Sequence, residues 1–244
     1  MAQPASEPRL WRRVLNDVAT LAIILMCITV IWFQFTRGGA VAAPRSPAVA
    51  TNLVVEPIRI VDGATLGRAD APVIVMEFSD LQCPFCAKFT RDSFPTIRRE
   101  YIDNGRVQLW FRHLPLDRIH PRARPAALAA ECARSGGRCW EMHDRLFANP
   151  NRLEDADLAS HAQALGLRDF QSCLSSDVDS IVRRDVEAAR DLGVSSTPTF
   201  VIARRLSDSR ARVLAVLAGA SSLNGLRSAF DSALAPRSGV GVAR

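Results

Sequence analysis

Lysine is almost absent from this chain: of 31 basic residues among 244, only Lys88 is not arginine. The arginines are scattered, with no basic block and no aromatic interleaving. The formal charge of +6 therefore describes a solvated, arginine-rich surface and no nucleic-acid partner is expected. No internal repeat or low-complexity block occurs, which excludes solenoids and arrays. The histidines, His113, His120, His143 and His161, match no compact ligand spacing, so they read as surface or packing residues and neither a metal nor a cofactor is expected. Hydrophobic residues make up 48% of the chain, which describes a globular protein, and the stretch after about residue 52 suits one core with an insertion.

One long apolar run is present. Val18 to Phe35 carries no formal charge, and its about 18 residues can span a bilayer core of about 30 Å. Arg9, Arg12 and Arg13 precede it. By the positive-inside rule residues 1–17 stay cytoplasmic, residues 18–36 cross the membrane, and the rest is exported. Ala40-Val41-Ala42 has the small-x-small form of a signal cleavage site and competes with that reading. The run is longer than the usual signal core, and Trp32 and Phe33 sit where an interfacial belt would lie, so an uncleaved anchor is the reading adopted. Either way the domain enters a disulfide-permissive compartment, the periplasm or its equivalent.

Residues 37–52 are rich in Ala, Pro, Gly and Ser and form a tether. Strands are expected at about Pro57–Val61 and at Val73–Phe78, where β-branched residues crowd a short buried run. A helix from Cys86 should close at Asn104-Gly105 and bend or break at Pro95. Val107–Phe111 returns as a strand, so the order is βαβ with parallel strands. Residues 121–192 turn alanine-rich and helix-periodic, a helical insertion of several short helices. Strands resume at Thr199–Ala203 and Arg212–Ala218, a hairpin around Ser207-Asp208-Ser209. Ser221 or Ser222 caps a final helix carrying Leu223, Leu226, Phe230 and Leu234 to the core, and Pro236 ends it. The domain thus runs over 53–235, with a mobile tail at 236–244.

The chemistry centres on Cys83-Pro84-Phe85-Cys86. The spacing alone serves zinc, structure or redox chemistry. Here the pair follows a buried strand and opens a helix, and Cys132 and Cys139 do not form a second zinc knuckle. At a helix N-terminus unpaired backbone N–H groups favour thiolate over thiol, which marks Cys83 as the nucleophile with Cys86 behind it. Glu77 interrupts an apolar strand, so desolvation should raise its pKa and make it a candidate proton relay for Cys86. A proline opening a strand cannot donate to the ladder, which predicts an edge position for Pro198; a cis bond there would leave the Thr197 backbone free to pair with an extended substrate. Phe85 and Trp110 are candidates for an apolar surface beside the thiols, with core packing the alternative for Trp110.

The segments 77–86, Phe111-Arg-His-Leu-Pro-Leu116, His120-Pro121 with its alanine-rich helix, Cys139-Trp-Glu-Met-His-Asp-Arg-Leu-Phe147 and Val194-Ser-Ser-Thr-Pro-Thr-Phe200 occur in this order. Together they resemble the DsbA-like thioredoxin-fold oxidoreductases. The resemblance covers about Pro57 to Leu234. It implies an α/β thioredoxin fold, a central mixed β-sheet flanked by helices, with an α-helical insertion and here preceded by one transmembrane helix. It further implies Cys83 as attacking thiolate, Cys86 as resolving thiol, Glu77 as buried acid and Pro198 as cis-proline. Pro84, Phe85, Thr197 and Pro198 would then meet the substrate. Some relatives carry a second disulfide at positions similar to Cys132 and Cys173, and that pairing is adopted as structural, with Cys132–Cys139 the runner-up. Cys27 reads as a small apolar residue in lipid. Pro125, early in a helix, and Cys139, where an aromatic residue is common, depart from the family pattern.

The function implied is an extracytoplasmic thiol-disulfide oxidoreductase, foremost a dithiol oxidase acting on exported proteins and reoxidised by a membrane partner. A disulfide isomerase or reductase of the same fold, or an exported Cu(I)-binding chaperone using the same cysteines, is the alternative.

Overall fold

In the computed structural model, residues 9–36, 58–59 and 63–236 are described. The Ala40-Val41-Ala42 motif, the tether, the Pro57 and Ile60–Val61 parts of the first expected strand and the residues beyond Pro236 lie outside them. The chain divides into two units, Met1–Ser46 and Pro47–Arg244. The first holds helix α1, Arg9–Thr36, in which Leu15–Phe33 is long and apolar enough to cross a membrane. Its large apolar side chains from Leu15 to Phe33 are exposed, as is Cys27, which is the burial pattern of a helix without a protein core around it.

The second unit is built on a six-stranded sheet, β1 Ile58–Arg59, β2 Ala64–Leu66, β3 Val73–Ser79, β4 Val107–His113, β5 Thr199–Ser207 and β6 Arg210–Ala218, in the order β1-β6-β5-β3-β4-β2. β3 lies inside the sheet, paired parallel with β4 and antiparallel with β5, and every residue in it is buried. The β3–β4 crossover runs through α2 Pro84–Asp92, α3 Phe94–Ile97 and a π-helical turn, Arg98–Ile102. The helix expected from Cys86 to Asn104 is therefore broken: Pro95 falls in the first turn of α3, where its missing N–H removes no helical bond. β2 pairs antiparallel with β4 and was not expected, since three residues carry too little pattern to read.

The insertion contains α4 Ala123–Ser135, α5 Cys139–Ala148, α6 Asp155–Ala164, α7 Phe170–Leu174 and α8 Asp179–Asp191. Pro125 sits in the first turn of α4 and disturbs nothing. The closing hairpin turns at Asp208-Ser209, with Ser207 still paired to Arg210. α9, Leu223–Leu234, is capped by Ser222, whose Oγ accepts the Gly225 N–H at 3.1 Å.

Three apolar clusters follow from this layering. Val73, Val75, Leu109, Phe200 and Ile202 project from one sheet face onto Phe89, Phe94, Leu226 and Phe230 of the covering helices. Ile74, Met76, Phe78, Trp110 and Val201 fill the other face with Ala189 and its neighbours. The insertion has its own core, which reaches Phe111, Cys83 and Cys86.

Cys132 on α4 and Cys173 on α7 are disulfide-bonded, and Cys139 is a free thiol on a different helix. Closing 41 residues removes unfolded-chain entropy worth about 2–4 kcal/mol. Replacing both with alanine should lower stability by that amount in urea titration, while the Cys83/Cys86 exchange rate stays within about twofold.

Candidate active site

The site forms where β3 ends and α2 begins. Cys83 is the N-cap of α2, with Pro84 at its first position and no side chain capping the free N–H groups. The turn before it is held from its own carboxylate: Asp80 Oδ1 accepts the Gln82 N–H at 2.7 Å, and Oδ2 accepts the Leu116 N–H and meets His120 Nδ1, each at 2.8 Å. Gln82 Oε1 accepts the Arg122 N–H at 2.7 Å, so three hydrogen bonds tie the segment after β4 to the cysteine turn. Sequence reasoning passed over Asp80, because its partners lie far along the chain.

Both thiols are free and buried, Cys83 3% and Cys86 0% exposed. The Cys83 thiol is drawn down to about 5, first by a hydrogen bond from Cys86, with burial opposing, then by Thr197 and the backbone N–H groups of Cys86 and Phe85. Cys86 is pushed strongly upward by burial and by its bond to Cys83. The pair thus divides into a ready thiolate and a held thiol.

Thr197-Pro198 faces the pair, with Cys83 Sγ 3.7 Å from the Thr197 carbonyl oxygen, and the Thr197–Pro198 peptide is cis. The edge position expected for Pro198 is corrected by the sheet order: β5 lies between β6 and β3. Pairing starts at Thr199, so the proline stands one residue outside the ladder and its missing N–H costs no sheet hydrogen bond.

Glu77 is 2% exposed in the middle of β3, opposite Phe111 on β4 and Phe200 on β5. Those neighbours offer its carboxylate no cation. Burial lifts its pKa to about 7, with the Ser79 hydroxyl opposing. Pro84 and Phe85 are exposed, Phe85 to 59%, and form an apolar rim at the thiols. Trp110 does not join them: it is buried in the cluster on the opposite sheet face, its Nε1 donating to Gln108 Oε1 at 2.9 Å. Among the histidines, His113, His143 and His161 are buried; His113 meets Glu131 Oε1 at 3.0 Å and His143 packs on Phe111, Trp140 and Phe147.

The split pair makes redox state and pH act together on stability. A depressed thiol pKa stabilises the reduced fold fully above the ordinary value of 9.0 and not at all once pH falls below about 5. The disulfide-bonded form lacks this titration, while the raised Glu77 pKa weakens both redox forms as pH rises toward 7. The stability of reduced over oxidised protein, from paired urea titrations, should therefore shrink from pH 7 to pH 5; a constant difference would contradict the thiolate.

A thioredoxin fold with a helical insertion and a dithiol heading its first crossover helix, faced by the Thr197-Pro198 bend, is the architecture of the DsbA-like thiol-disulfide oxidoreductases. The chain belongs to the thioredoxin family, whose model matches residues 60–215. It is similar in structure to alpha-DsbA1 of Wolbachia pipientis, with a TM-score of 0.62 and 25% identity over 72% of this chain and 93% of that one. Disulfide bond formation protein D of Bacillus subtilis is 30% identical over 56% of this chain and 66% of its own length. Na(+)/H(+) antiporter NhaA 3 of Salinispora tropica is 39% identical over 139 residues, 56% of this chain. The chain spans about a fifth of the length of that curated relative, 21%, so the likeness concerns one region of it.

Proposed function

We propose that the protein is an extracytoplasmic dithiol oxidase that introduces disulfides into exported proteins. The observation that carries this reading is the divided pair: a thiol drawn down to about 5 at Cys83 stabilises the reduced form, which makes the Cys83–Cys86 disulfide a willing electron acceptor. A substrate thiolate attacks Cys83 Sγ, the Cys83–Cys86 bond breaks, and its electron pair leaves on Cys86, which takes a proton from Glu77. A second substrate thiolate then attacks the substrate sulfur of the mixed disulfide and releases Cys83 as thiolate, leaving the substrate oxidised and both site cysteines reduced. A membrane redox partner reoxidises the pair.

Phe85 and Pro84 give the substrate an apolar seat, and Thr197-Pro198 offers it backbone to pair with. Cys132–Cys173 braces the insertion. Helix α1 anchors the chain in the bacterial cytoplasmic membrane as a single pass, with the 53–235 domain outside, tethered by 37–52 and ending in the tail 236–244.

The test is oxidation of a reduced peptide bearing two cysteines, run beside insulin reduction. Stoichiometric peptide oxidation by the disulfide form, with weak insulin reduction, supports the oxidase. Strong insulin reduction with poor peptide oxidation would transfer the site to the reducing or isomerising direction. Stoichiometric copper on protein purified under reducing conditions, lost in Cys83→Ser and without exchange activity, would make it a Cu(I) carrier.

A further inference from the structure

We propose that the Ser79 hydroxyl carries the proton between Glu77 and Cys86, making these three side chains one buried path beneath the dithiol. The inference rests on the reading of Cys86 as the resolving thiol and Glu77 as its acid.

Alternation along β3 puts Glu77 and Ser79 on one face, the face on which Val73 and Val75 meet Phe89 of α2. Cys86 lies one turn before Phe89 on that helix and is buried with it. Cys86 shares its cluster with Phe111, the β4 partner of Glu77, and Glu77, Ser79 and Cys86 are buried to 2%, 1% and 0% exposure. Ser79 is fixed by its backbone: it pairs opposite His113, and its carbonyl accepts the Leu114 N–H at 2.8 Å. Among the described residues neither its Oγ nor Glu77 Oε1 makes a close hydrogen bond.

A buried hydroxyl without a close hydrogen bond gains little over alanine at the same place, so stability gives little reason for serine here. Yet the same hydroxyl lies near enough to oppose the burial effect on both Glu77 and Cys86. It acts on both the acid and the thiol while held closely by neither, which is what a relay needs. A hydroxyl can accept one proton while giving up its own, so no net charge rests on Ser79.

Other groups face this path. α2 brings Cys83; β4 brings His113, which is held by Glu131 of α4; α5 brings His143, whose pKa burial lowers. β5 presents Phe200, and α9 presents Leu226 and Phe230. On its own strand face Glu77 has Val75 and Ser79 within two residues, and of the two only Ser79 has a proton to give. In the oxidising step a thiolate bonds to Cys83 and the Cys83–Cys86 bond breaks toward Cys86. The Cys86 thiolate then takes the Ser79 hydroxyl proton as Glu77 replaces it, ending as Cys86 thiol and Glu77 carboxylate.

The experiment is stopped-flow reduction of the oxidised full-length protein by glutathione between pH 5 and 9, with each rate divided by the glutathione thiolate fraction. For the native chain this corrected rate should fall as pH rises through about 7, where Glu77 loses the proton it donates. Ser79→Ala should lower the rate about a hundredfold at pH 6 and flatten that limb, at the modest end of general acid catalysis. Ser79→Thr, which keeps the hydroxyl, should retain the limb. Glu77→Gln should match Ser79→Ala, and the double variant should lose no more than either alone. An unaltered profile in Ser79→Ala, or additive losses in the double variant, would overturn the relay alone. Failure of the native chain to exchange with glutathione would overturn the oxidoreductase reading and the relay with it.

Discussion

Cys83→Ser should abolish disulfide exchange with peptides and with glutathione, a loss of at least about a thousandfold, without weakening the fold. Exchange needs a sulfur that can be attacked and can leave, and serine offers neither at neutral pH. The fold should survive because Cys83 is the N-cap of α2, a position where serine satisfies the helix N–H groups better than cysteine does. Cys86→Ser should behave differently. Cys83 still attacks, nothing resolves it, and a mixed disulfide accumulates that intact-mass measurement can count. Equal loss in both variants with no trapped adduct would remove the division of labour between the two thiols.

The second large effect is structural. Asp185→Ala should destabilise the domain by about 3–5 kcal/mol, since it removes a buried carboxylate that serves both a cation and a backbone N–H. Asp185 Oδ1 accepts from Arg112 Nη1 at 2.9 Å, and both side chains are only 3% exposed. Oδ2 also accepts the His113 N–H at 3.1 Å, so this one carboxylate fastens α8 of the insertion to the end of β4. Asp185→Asn keeps an acceptor and should lose less. Urea midpoints that move by under about 1 kcal/mol equivalent in Asp185→Ala would mean that the insertion is held by its apolar core alone.

Cys83 and Cys86 were legible because their meaning is local: a β-branched run, a cysteine, a proline and a cysteine in sequence define strand, cap and helix within a dozen positions. The Thr197-Pro198 bend was legible for the same reason, while its strand's place in the sheet was not. Strand order is a property of partners, and Pro198 escapes the ladder by one residue, which its own chemistry does not disclose. Asp185 gave no sign, because its partner Arg112 is 73 residues away. The same holds for His113 with Glu131, 18 apart, and for Asp80 with His120, 40 apart.

Trp110 illustrates a different limit. β4 is buried along its whole length, so its pattern carries no alternation to say which face meets the thiols. Ser79 was within reach of sequence reasoning. The expected strand stopped at Phe78, one residue short; carried through Ser79, it puts the serine on the face of Glu77, two positions on.

The measurement that bears most directly on the account is the reduction potential of the Cys83/Cys86 pair, equilibrated against glutathione across a range of redox ratios. A thiolate stabilised in the reduced form requires an oxidising couple, in the region of about −180 to −120 mV. A value near about −270 mV, the reducing end of the thioredoxin range, would contradict the oxidase assignment while leaving the fold in place.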